Sequence, residues 1–267
     1  MTRVGFVGAG RMGAPMVRRL AEAGHDVRAL GRTPEKRAAV EELGAHAVAD
    51  LAGVADQADV VVVCVFTDEQ VAQVCLRSDL LTAMRPGAVL VIHTTGSPRT
   101  AQSIAAAYDH VDVVDAPVSG GPHDIAAGHV TLFVGGDDDA VARARHALSA
   151  YGDPVLHVGA TGTGQLVKLV NNTLFAAQIG LVAEGVRLGA ELGIEEPALL
   201  EALTHGSAAS RALGTIARAG STSGFIDAVG DFIGKDVAVV RKTAAELGTD
   251  LGALEDLVTR GLPQRDR

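Results

Sequence analysis

Residues 3–13 read RVGFVGAGRMG, a short β-rich run that passes directly into a glycine-rich turn. The next stretch, Ala14 to Ala23, spaces its apolar residues as an amphipathic helix does. The same alternation continues through the first half of the chain. Further strands are predicted at Asp26 to Leu30, Val60 to Val65, Ala88 to His93, Asp112 to Asp115 and Leu132 to Gly135, and further helices at Thr33 to Leu43 and Thr100 to Tyr108. Such alternation predicts a mainly parallel sheet with helices on both faces.

The pattern changes at a cluster of glycines, Gly159, Gly162 and Gly164. After this cluster, long helical stretches follow one another and strand signals end. These helices are predicted at Gln165 to Leu192, Glu196 to Leu203 and Lys235 to Leu247. We therefore expect an α/β fold of two domains, residues 1–160 and 161–267. The first is a doubly wound parallel sheet, and the second is a smaller all-helical C-terminal domain joined by a long helix.

Composition excludes several classes of protein. The chain has 267 residues, 48% of them hydrophobic, and a formal net charge of −9, without a Lys/Arg run that would follow a nucleic-acid backbone. Cys64 and Cys75 lack metal-ligand spacing and are expected to be reduced, buried thiols. No signal peptide and no apolar run of about 18 residues is visible, so we expect a cytoplasmic protein without a membrane partner. The short charged tail after Gly261 is expected to be solvated.

The glycine-rich turn is the first candidate binding site. In Gly8-Ala9-Gly10-Arg11-Met12-Gly13 the glycines permit a tight turn, close approach of the backbone to a pyrophosphate, and close contact between helix and strand. The pyrophosphate would lie at the N-terminus of the following helix, where unpaired N–H groups and the helix dipole favour an anion. Because the motif occupies the first strand–helix turn of an alternating chain, it predicts a Rossmann-type NAD(P) site formed by all six residues.

The end of the second predicted strand indicates which cofactor is bound. NAD enzymes usually place Asp or Glu there to bind the ribose 2′-hydroxyl, whereas this chain has Gly31-Arg32-Thr33-Pro34-Glu35-Lys36. Arg32, Thr33 and Lys36 are suited to surround a 2′-phosphate, which favours NADP (NADPH) over NAD. The alternative is a solvated loop in which Thr33 caps a helix that begins at Pro34, and the two interpretations are compatible.

Lys168 is one cation in a stretch otherwise suited to burial, GTGQLVKLVNN at residues 162–172. At about 3.6 residues per turn, Gln165, Lys168 and Asn172 fall on one face of the predicted helix. A lysine on such a face either extends its charged end to water or an ion-pair partner, or takes part in proton transfer. The stretch alone leaves both roles open.

A third motif, DAPVSGGP at residues 115–122, follows a predicted strand and offers a hydroxyl and free backbone N–H groups to a carboxylate, although alone it is also compatible with an ordinary loop. Together with the glycine-rich turn, TTGSP at 94–98, the Lys168 segment and GKD at 234–236, it resembles the β-hydroxyacid dehydrogenase family. That family includes 3-hydroxyisobutyrate dehydrogenase, tartronate semialdehyde reductase and glyoxylate/succinic semialdehyde reductases. The resemblance extends from residue 3 to about residue 250.

The resemblance implies roles for individual residues. It assigns catalysis to Lys168, Asn172 and Ser119, with Lys168 as general acid/base, and binding of a small carboxylate-bearing substrate to Ser119, Gly120, Gly121 and Asn172. It assigns further cofactor contacts to Phe66, Thr67, Thr95 and Lys235. It also implies a homodimer or higher homo-oligomer, commonly formed through the helical domain.

The predicted function is therefore that of an NADP-preferring oxidoreductase, which transfers a hydride between a nicotinamide cofactor and a small β-hydroxy acid or its semialdehyde. Two alternatives remain open: an imine reductase on the same fold and a non-catalytic NADPH-binding sensor. No metal is expected, since the histidines show no HExxH-like spacing.

Two departures from the family pattern leave the substrate open. Where many members have Ser-x-x-Ser-Trp, this chain has Ser207-Ala208-Ala209-Ser210-Arg211, and it contains no Trp. Arg211 is predicted either to meet a second anionic group of the substrate or to point to solvent, the latter being favoured. Typical members also extend further at the C-terminus, so the resemblance implies that a final helix is missing here.

Overall fold

A computed structural model describes residues 1–263, the side chains of residues 231 and 232 excepted. The strands are β1 (Arg3–Val7), β2 (Asp26–Leu30), β3 (His46–Val48), β4 (Val60–Val63), β5 (Val89–Ile92), β6 (Asp112–Asp115), β7 (Val118–Ser119), β8 (Val130–Gly135) and β9 (Gly152–Gly159). The helices are α1 (Gly13–Glu22), α2 (Pro34–Glu41), α3 (Leu51–Ala55), α4 (Asp68–Leu76), α5 (Leu80–Ala83), α6 (Pro98–Ala107), α7 (Pro122–Ala126), α8 (Asp138–Leu148), α9 (Thr163–Glu191), α10 (Glu196–Thr204), α11 (Arg211–Ala219), α12 (Thr222–Glu246) and α13 (Leu254–Arg260).

The strands form one sheet in the order β3-β2-β1-β4-β5-β6-β8-β7, with β9 paired to β8. Pairing is parallel from β3 to β6, whereas β8 runs antiparallel to β6. The chain moves outward from β1 to β3 and then returns to add β4 on the other side of β1. The carboxyl ends of β1 and β4 therefore flank the point at which the strand order reverses, where doubly wound sheets bind their ligands. The predicted Rossmann-type parallel sheet is confirmed.

The central strands are apolar because helices cover both faces of the sheet. All four residues of β4, Val60–Val63, are buried, and they alternate between two cores. Val60 and Val62 pack with Met16 and Leu20 of α1 on one face, whereas Val61 and Val63 belong to the core on the other face. This double burial explains the unbroken valine run of β4.

The chain divides into two compact units, Met1–Lys168 and the residues from Leu169 onward. In the second unit the described residues form only helices, and their core includes Ile179, Leu213 and Ile216. Helices α9 and α13 approach closely, since a Cβ on Gly180 would lie 2.0 Å from the carbonyl oxygen of Leu257. The predicted helical second domain that begins with a long helix is confirmed.

Several short elements were not predicted from the sequence, and two larger differences have a clear physical reason. Helix α12 starts at Thr222 rather than Lys235, because burial of Phe225 and Ile233 outweighs the low helix propensity of its glycines. Strand β9 was not predicted, and it contains Pro154, a residue that central strands exclude. Among the described strands β9 pairs with β8 alone, and such an edge position tolerates proline.

Helix α9 is long and apolar enough by length and composition to cross a membrane, and 44% of its most apolar window is buried in the protein. Buried Lys168, Asn172 and Thr173 and half-buried Asn171 interrupt its apolar sequence. Those features are typical of a core helix. Of the tail predicted to be solvated, Leu262 and Pro263 are half-buried, and residues 264–267 lie outside the described residues.

Candidate active site

The glycine-rich turn has the close contacts that its sequence predicts. Gly8 has a φ of +104°, and a Cβ there would lie 2.1 Å from the carbonyl oxygen of Cys64 at the end of the neighbouring strand. A Cβ on Gly13 would lie 2.1 Å from the carbonyl oxygen of Gly8, so the helix starts against the turn. By contrast, a Cβ on Gly10 would meet nothing within 4 Å. The turn is thus packed against the protein at Gly8 and Gly13 and open at Gly10, as an approaching ligand requires.

The N-terminus of α1 is suited to an anion. Its N-cap, Met12, makes no side-chain cap hydrogen bond, and no acidic residue lies in the first turn. The Ala14 N–H donates to the Gly10 carbonyl at 2.8 Å and Pro15 has no N–H, so the positive end of the helix dipole, rather than a full set of unpaired N–H groups, favours a negatively charged group here. Arg11 is exposed in the same turn. The turn fits a pyrophosphate by both shape and charge.

A cleft of about 720 Å³ begins at this turn. It is lined by Gly8, Ala9, Gly10, Arg32, Lys36 and Phe66 among the predicted cofactor residues, and by apolar side chains such as Val40, Leu43, Leu51 and Val74. Thr33 has the capping role: its hydroxyl accepts a hydrogen bond from the Lys36 N–H at 3.3 Å, and Pro34 begins α2. Capping by Thr33 is compatible with a phosphate site, because Arg32 and Lys36, on either side of Thr33 in the chain, both line the cleft.

Thr94 links the ends of β4 and β5, and helix α9 holds the segment that follows β5. The Thr94 hydroxyl donates to the carbonyl of Val65 (2.9 Å) and accepts from its N–H (3.0 Å). The buried Gln165 side chain in turn donates to the Thr94 carbonyl (2.8 Å) and accepts from the Gly96 N–H (3.0 Å). Thr95, predicted to contact the cofactor, lies between two residues held by this network. Sequence reasoning placed Gln165 on the face of Lys168 but did not assign it this bracing role.

Phe66 and Thr67 follow β4 in the same region. Thr67 caps α4 through a capping box, in which its hydroxyl accepts from the Gln70 N–H while the Gln70 side chain accepts from the Thr67 N–H. Phe66 is 64% exposed, and its N–H also donates to Gln70. An exposed aromatic ring on a rigid backbone is well placed for a flat ligand to pack against it.

The predicted substrate loop is partly occupied by contacts within the protein. Ser119 ends β7, where it pairs with Thr131 of β8. Gly120 has a φ of +141°, which L-residues rarely adopt. The N–H of Gly121, expected to be free for a substrate, instead donates to the Asp124 carboxylate at 2.7 Å. That expectation was wrong for this one group, because Asp124 at the start of α7 reaches back to cap the turn.

The face of α9 that carries Lys168 is buried, as its spacing indicates. Gln165, Lys168 and Asn172 are 2%, 7% and 9% exposed. The Asn172 amide donates to the Asp236 carboxylate on α12 at 2.7 Å, and its carbonyl oxygen accepts from Asn171. The Asn172 amide is therefore held in one orientation by two neighbours.

Asp115, at the carboxyl end of β6, is a functional candidate that sequence reasoning did not single out. Its carboxylate is fully buried and accepts backbone N–H groups at the start of α9, from Gly162 at 2.6 Å and from Gln165 at 2.7 Å. Burial nevertheless raises the pKa of Asp115 to about 6 against the effect of these hydrogen bonds. The signal available in the sequence was its position, an acid at the end of a buried strand just before the Ser119 loop.

His93, at the end of β5, belongs to a second buried polar network. Its Nδ1 contacts the Ala116 carbonyl at 2.5 Å and its Nε2 contacts the Tyr151 hydroxyl at 2.8 Å. Burial lowers the pKa of His93 to about 4, so the ring is neutral near pH 7. Burial also raises the pKa of the Cys64 and Cys75 thiols to about 12. Both cysteines are free; Cys75 is buried as predicted, whereas Cys64 is half-buried at the cleft.

The remaining predicted residues lie in the second unit. Lys235, on α12, forms an ion pair of 3.7 Å with the neighbouring Asp236. Arg211 is exposed on the first turn of α11, in line with the solvent-directed alternative. In the part of the chain that the structure describes, no group of three or more His, Cys, Asp or Glu side chains is arranged to hold a metal ion.

Family models match both units. Residues 3–159 match the NAD-binding domain of 6-phosphogluconate dehydrogenase, and residues 162–258 match the NAD-binding domain of NADP-dependent 3-hydroxyisobutyrate dehydrogenase. A 3-hydroxyisobutyrate dehydrogenase of Pseudomonas aeruginosa is 32% identical over 95% of this chain and 90% of that protein. The chain belongs to the β-hydroxyacid dehydrogenase family. It is an NAD(P)-dependent dehydrogenase that acts on a CH–OH group.

Solved structures agree with this family assignment. The 3-hydroxyisobutyrate dehydrogenase of Mycobacterium tuberculosis with L-serine has a TM-score of 0.85 and 29% identity, covering 97% of this chain and 92% of that one. The Salmonella typhimurium 3-hydroxyisobutyrate dehydrogenase has a TM-score of 0.80 and 28% identity, with coverage of 97% and 92%. An imine reductase from Pseudomonas sp. shares the fold at a TM-score of 0.67 and 20% identity, covering 97% and 91%. At 20% identity, the likeness to the imine reductase shows only a shared fold.

Proposed function

We propose that this β-hydroxyacid dehydrogenase prefers NADP and interconverts a small β-hydroxy acid and its semialdehyde, with Lys168 as general acid/base. The observation that carries the proposal is the buried position of Lys168 on a helix whose start is hydrogen-bonded to β6 and the end of β5. Burial separates the lysine from bulk water, and desolvation favours proton transfer by an amine near neutral pH.

The proposed NADP preference rests on Arg32 and Lys36, which both line the cleft beyond β2. A guanidinium and an ammonium there would bind a 2′-phosphate by charge-assisted hydrogen bonds. Glu35, the acid in the same turn, lies outside the cleft lining. A hydrogen bond from Thr33 lowers the pKa of Glu35, so its carboxylate is ionised and unsuited to a second anion.

In the proposed mechanism the nicotinamide supplies or accepts the hydride. Lys168 gives a proton to the developing alkoxide during reduction and takes the hydroxyl proton during oxidation. Asn172, one helical turn away, orients the reacting oxygen without adding charge. Ser119 and the backbone of Gly120 hold the substrate carboxylate. The resemblance further supports Gly121 beside them, and Thr67, Thr95 and Lys235 as cofactor contacts.

Small β-hydroxy acids are the proposed substrate class because relatives carry the name 3-hydroxyisobutyrate dehydrogenase, and one was solved with L-serine. Both named compounds combine a carboxylate with a hydroxyl on the β-carbon. The Ser119 loop is suited to the first group and Lys168 to the second. Arg211, being exposed, is proposed to have no role in substrate choice.

We also propose a homodimer formed through α9. Val170, Leu174, Leu181 and Leu188 recur at spacings of four and seven residues and are 46% to 60% exposed. They define an apolar stripe on one side of the helix, and such a stripe is typical of an interface between protein chains. In a twofold dimer the stripe would contact its own copy.

Lys168→Ala tests the catalytic assignment, with Lys242→Ala, at an exposed lysine of α12, as the matched control. NADPH and NADH oxidation would be followed with glyoxylate, succinic semialdehyde, methylmalonate semialdehyde and a cyclic imine, and cofactor reduction with 3-hydroxyisobutyrate and other β-hydroxy acids. We expect kcat on the best acid to fall about 100- to 10,000-fold in Lys168→Ala, because a positioned acid/base contributes that much, and to be unchanged in the control.

The same assays separate the alternatives. Full activity of Lys168→Ala on the best hydroxy acid would refute the mechanism. Turnover of the cyclic imine alone would indicate an imine reductase, and tight NADPH binding without turnover of any compound would indicate a sensor.

A further inference from the structure

Helix α9 has no N-terminal cap of its own. It begins at Thr163, and the residue before it, Gly162, has no side chain and a φ of +96°. The first N–H groups of a helix lack partners within the helix, and Ser, Thr, Asp or Asn at the N-cap usually supplies one. In this protein the acceptor comes from another element, 47 residues earlier in the chain, as the Asp115 carboxylate.

The carboxylate of Asp115 contacts this helix end with both oxygens. Oδ1 accepts the Gly162 N–H at 2.6 Å and Oδ2 accepts the Gln165 N–H at 2.7 Å, while the Gly164 N–H also contributes to its environment. A carboxylate here also complements the positive end of the helix dipole. These hydrogen bonds therefore fix the first turn of α9 both along the helix axis and in rotation about that axis.

Two glycines make room for the carboxylate. A Cβ on Gly135 would lie 2.5 Å from Oδ1 of Asp115, and a Cβ on Gly164 would lie 2.8 Å from Oδ2. The strand on one side and the helix on the other thus approach the carboxylate more closely than any side chain would allow. The Asp115 carboxylate therefore occupies a closely packed site between β8 and α9.

We infer that Asp115 is a positioning residue for the proposed reaction, and that it acts by anchoring the start of α9 so that Lys168 is held in register with the Ser119 loop. Lys168 lies about one helical turn beyond Gln165, which is bonded to Asp115. Ser119 follows Asp115 closely in the chain, at the end of β7. One carboxylate therefore links the helix of the proposed acid/base to the loop proposed for the substrate.

The electrostatics of Asp115 favour this role over simple stabilisation. Burial raises its pKa to about 6, so the ionised form is less stable in the folded protein than in water. Asp115 therefore contributes most to the free energy of unfolding below its unfolded pKa of about 3.9, and this contribution is lost as the pH rises through about 6. Strands β5 and β8 and helices α6 and α8 pack against β6, and the buried titratable groups near its carboxyl end are His93, just after β5 and neutral near pH 7, and Lys168 on α9. Because the ionised Asp115 carboxylate lowers the stability of the folded protein, we expect its benefit to lie in holding the start of α9 in place.

Asp115→Asn is the decisive variant, since its amide keeps one acceptor but turns an N–H group toward the helix N–H groups. We expect kcat to fall at least tenfold while the Kd for NADPH stays within about twofold. The wild-type kcat profile should lose activity below about pH 6, as protonation removes an acceptor, and this acid limb should be absent in Asp115→Asn. Asp50→Asn, which alters the carboxylate cap of α3, is the matched control and should retain wild-type kcat and pH profile.

A kcat within twofold of wild type, or a uniform loss at every pH with the acid limb retained, would overturn the inference. Because it rests on the proposed function, hydrogen exchange provides a readout independent of turnover. At pH 7.5 the amides of residues 162–168 should be less protected in Asp115→Asn than in the wild-type protein, whereas those of α1 should be equally protected in both. Unchanged protection would overturn the anchor itself, while absence of turnover with every substrate would refute only the proposed function.

Discussion

Arg32 is the residue on which the proposed NADP preference most depends. It follows β2, where an acid would bind a ribose 2′-hydroxyl, and it lines the cleft together with Lys36. A guanidinium is always charged and presents several donors in a plane, so it suits a phosphate better than a hydroxyl. The sequence alone favoured NADP, and the structure brings both cations to the cleft that starts at the glycine-rich turn.

For Arg32→Ala we expect the Kd for NADPH to rise about 10- to 100-fold, since a hydrogen bond to a charged group contributes about 1.5–3 kcal/mol. The Kd for NADH should change less than about threefold, because it has no 2′-phosphate. Arg18→Ala, on an exposed arginine of α1 outside the cleft lining, is the charge-matched control. Titration of cofactor fluorescence measures all three proteins, and equal weakening of both cofactors would contradict the assignment.

Helix α9 is the element on which the proposed chemistry depends. One of its faces buries Gln165, Lys168 and Asn172, and its start is held by Asp115 and by the Gln165 contacts to Thr94 and Gly96. Its buried polar face was predictable from helical spacing. The anchor was not, because the acceptor and the helix end are far apart in sequence and meet only when β6 is in the sheet.

Gly164→Ala tests the close packing at this helix start. The added methyl would lie 2.5 Å from the Phe133 carbonyl oxygen and 2.8 Å from the Asp115 carbonyl oxygen, so backbone must move. We expect a loss of about 1–3 kcal/mol in the free energy of unfolding, together with a lower kcat as Lys168 shifts.

Gly214→Ala is the matched control for this substitution. Gly214 lies within α11, and its added methyl would meet only an Arg218 side-chain atom at 3.7 Å. We expect this change to stabilise the protein by about 0.5–1 kcal/mol, as alanine does within helices. Urea unfolding measures both variants, and equal effects in the two would show that α9 has no special packing at its start.

At the scale of the whole molecule, the sheet unit has a core on each face and the helical unit has a core of its own. The stripe on α9 is an apolar surface that none of these cores covers. Its most central member, Leu181, is 55% exposed. The proposed dimer would bury this surface.

Leu181→Glu is expected to convert the dimer into a monomer, because the substitution would place two carboxylates near the twofold axis in an apolar contact. Light scattering coupled to size-exclusion chromatography measures the mass. Leu247→Glu, at a leucine that is 52% exposed at the end of α12, is the control and should leave the mass unchanged. A wild-type protein that is monomeric at micromolar concentration would contradict the proposal.

The sequence by itself determined the fold class, the nucleotide-binding turn and the buried face of Lys168. These features depend on local patterns: strand–helix alternation, the spacing of Gly8, Gly10 and Gly13, and helical periodicity. Only the tertiary structure decided the features that join distant segments. The Asp115 anchor, the Gln165 brace and the capture of the Gly121 N–H by Asp124 depend on which strand ends and loops the sheet brings together. Hydrogen-bond partners of this kind are set by distance in space, which local periodicity does not encode.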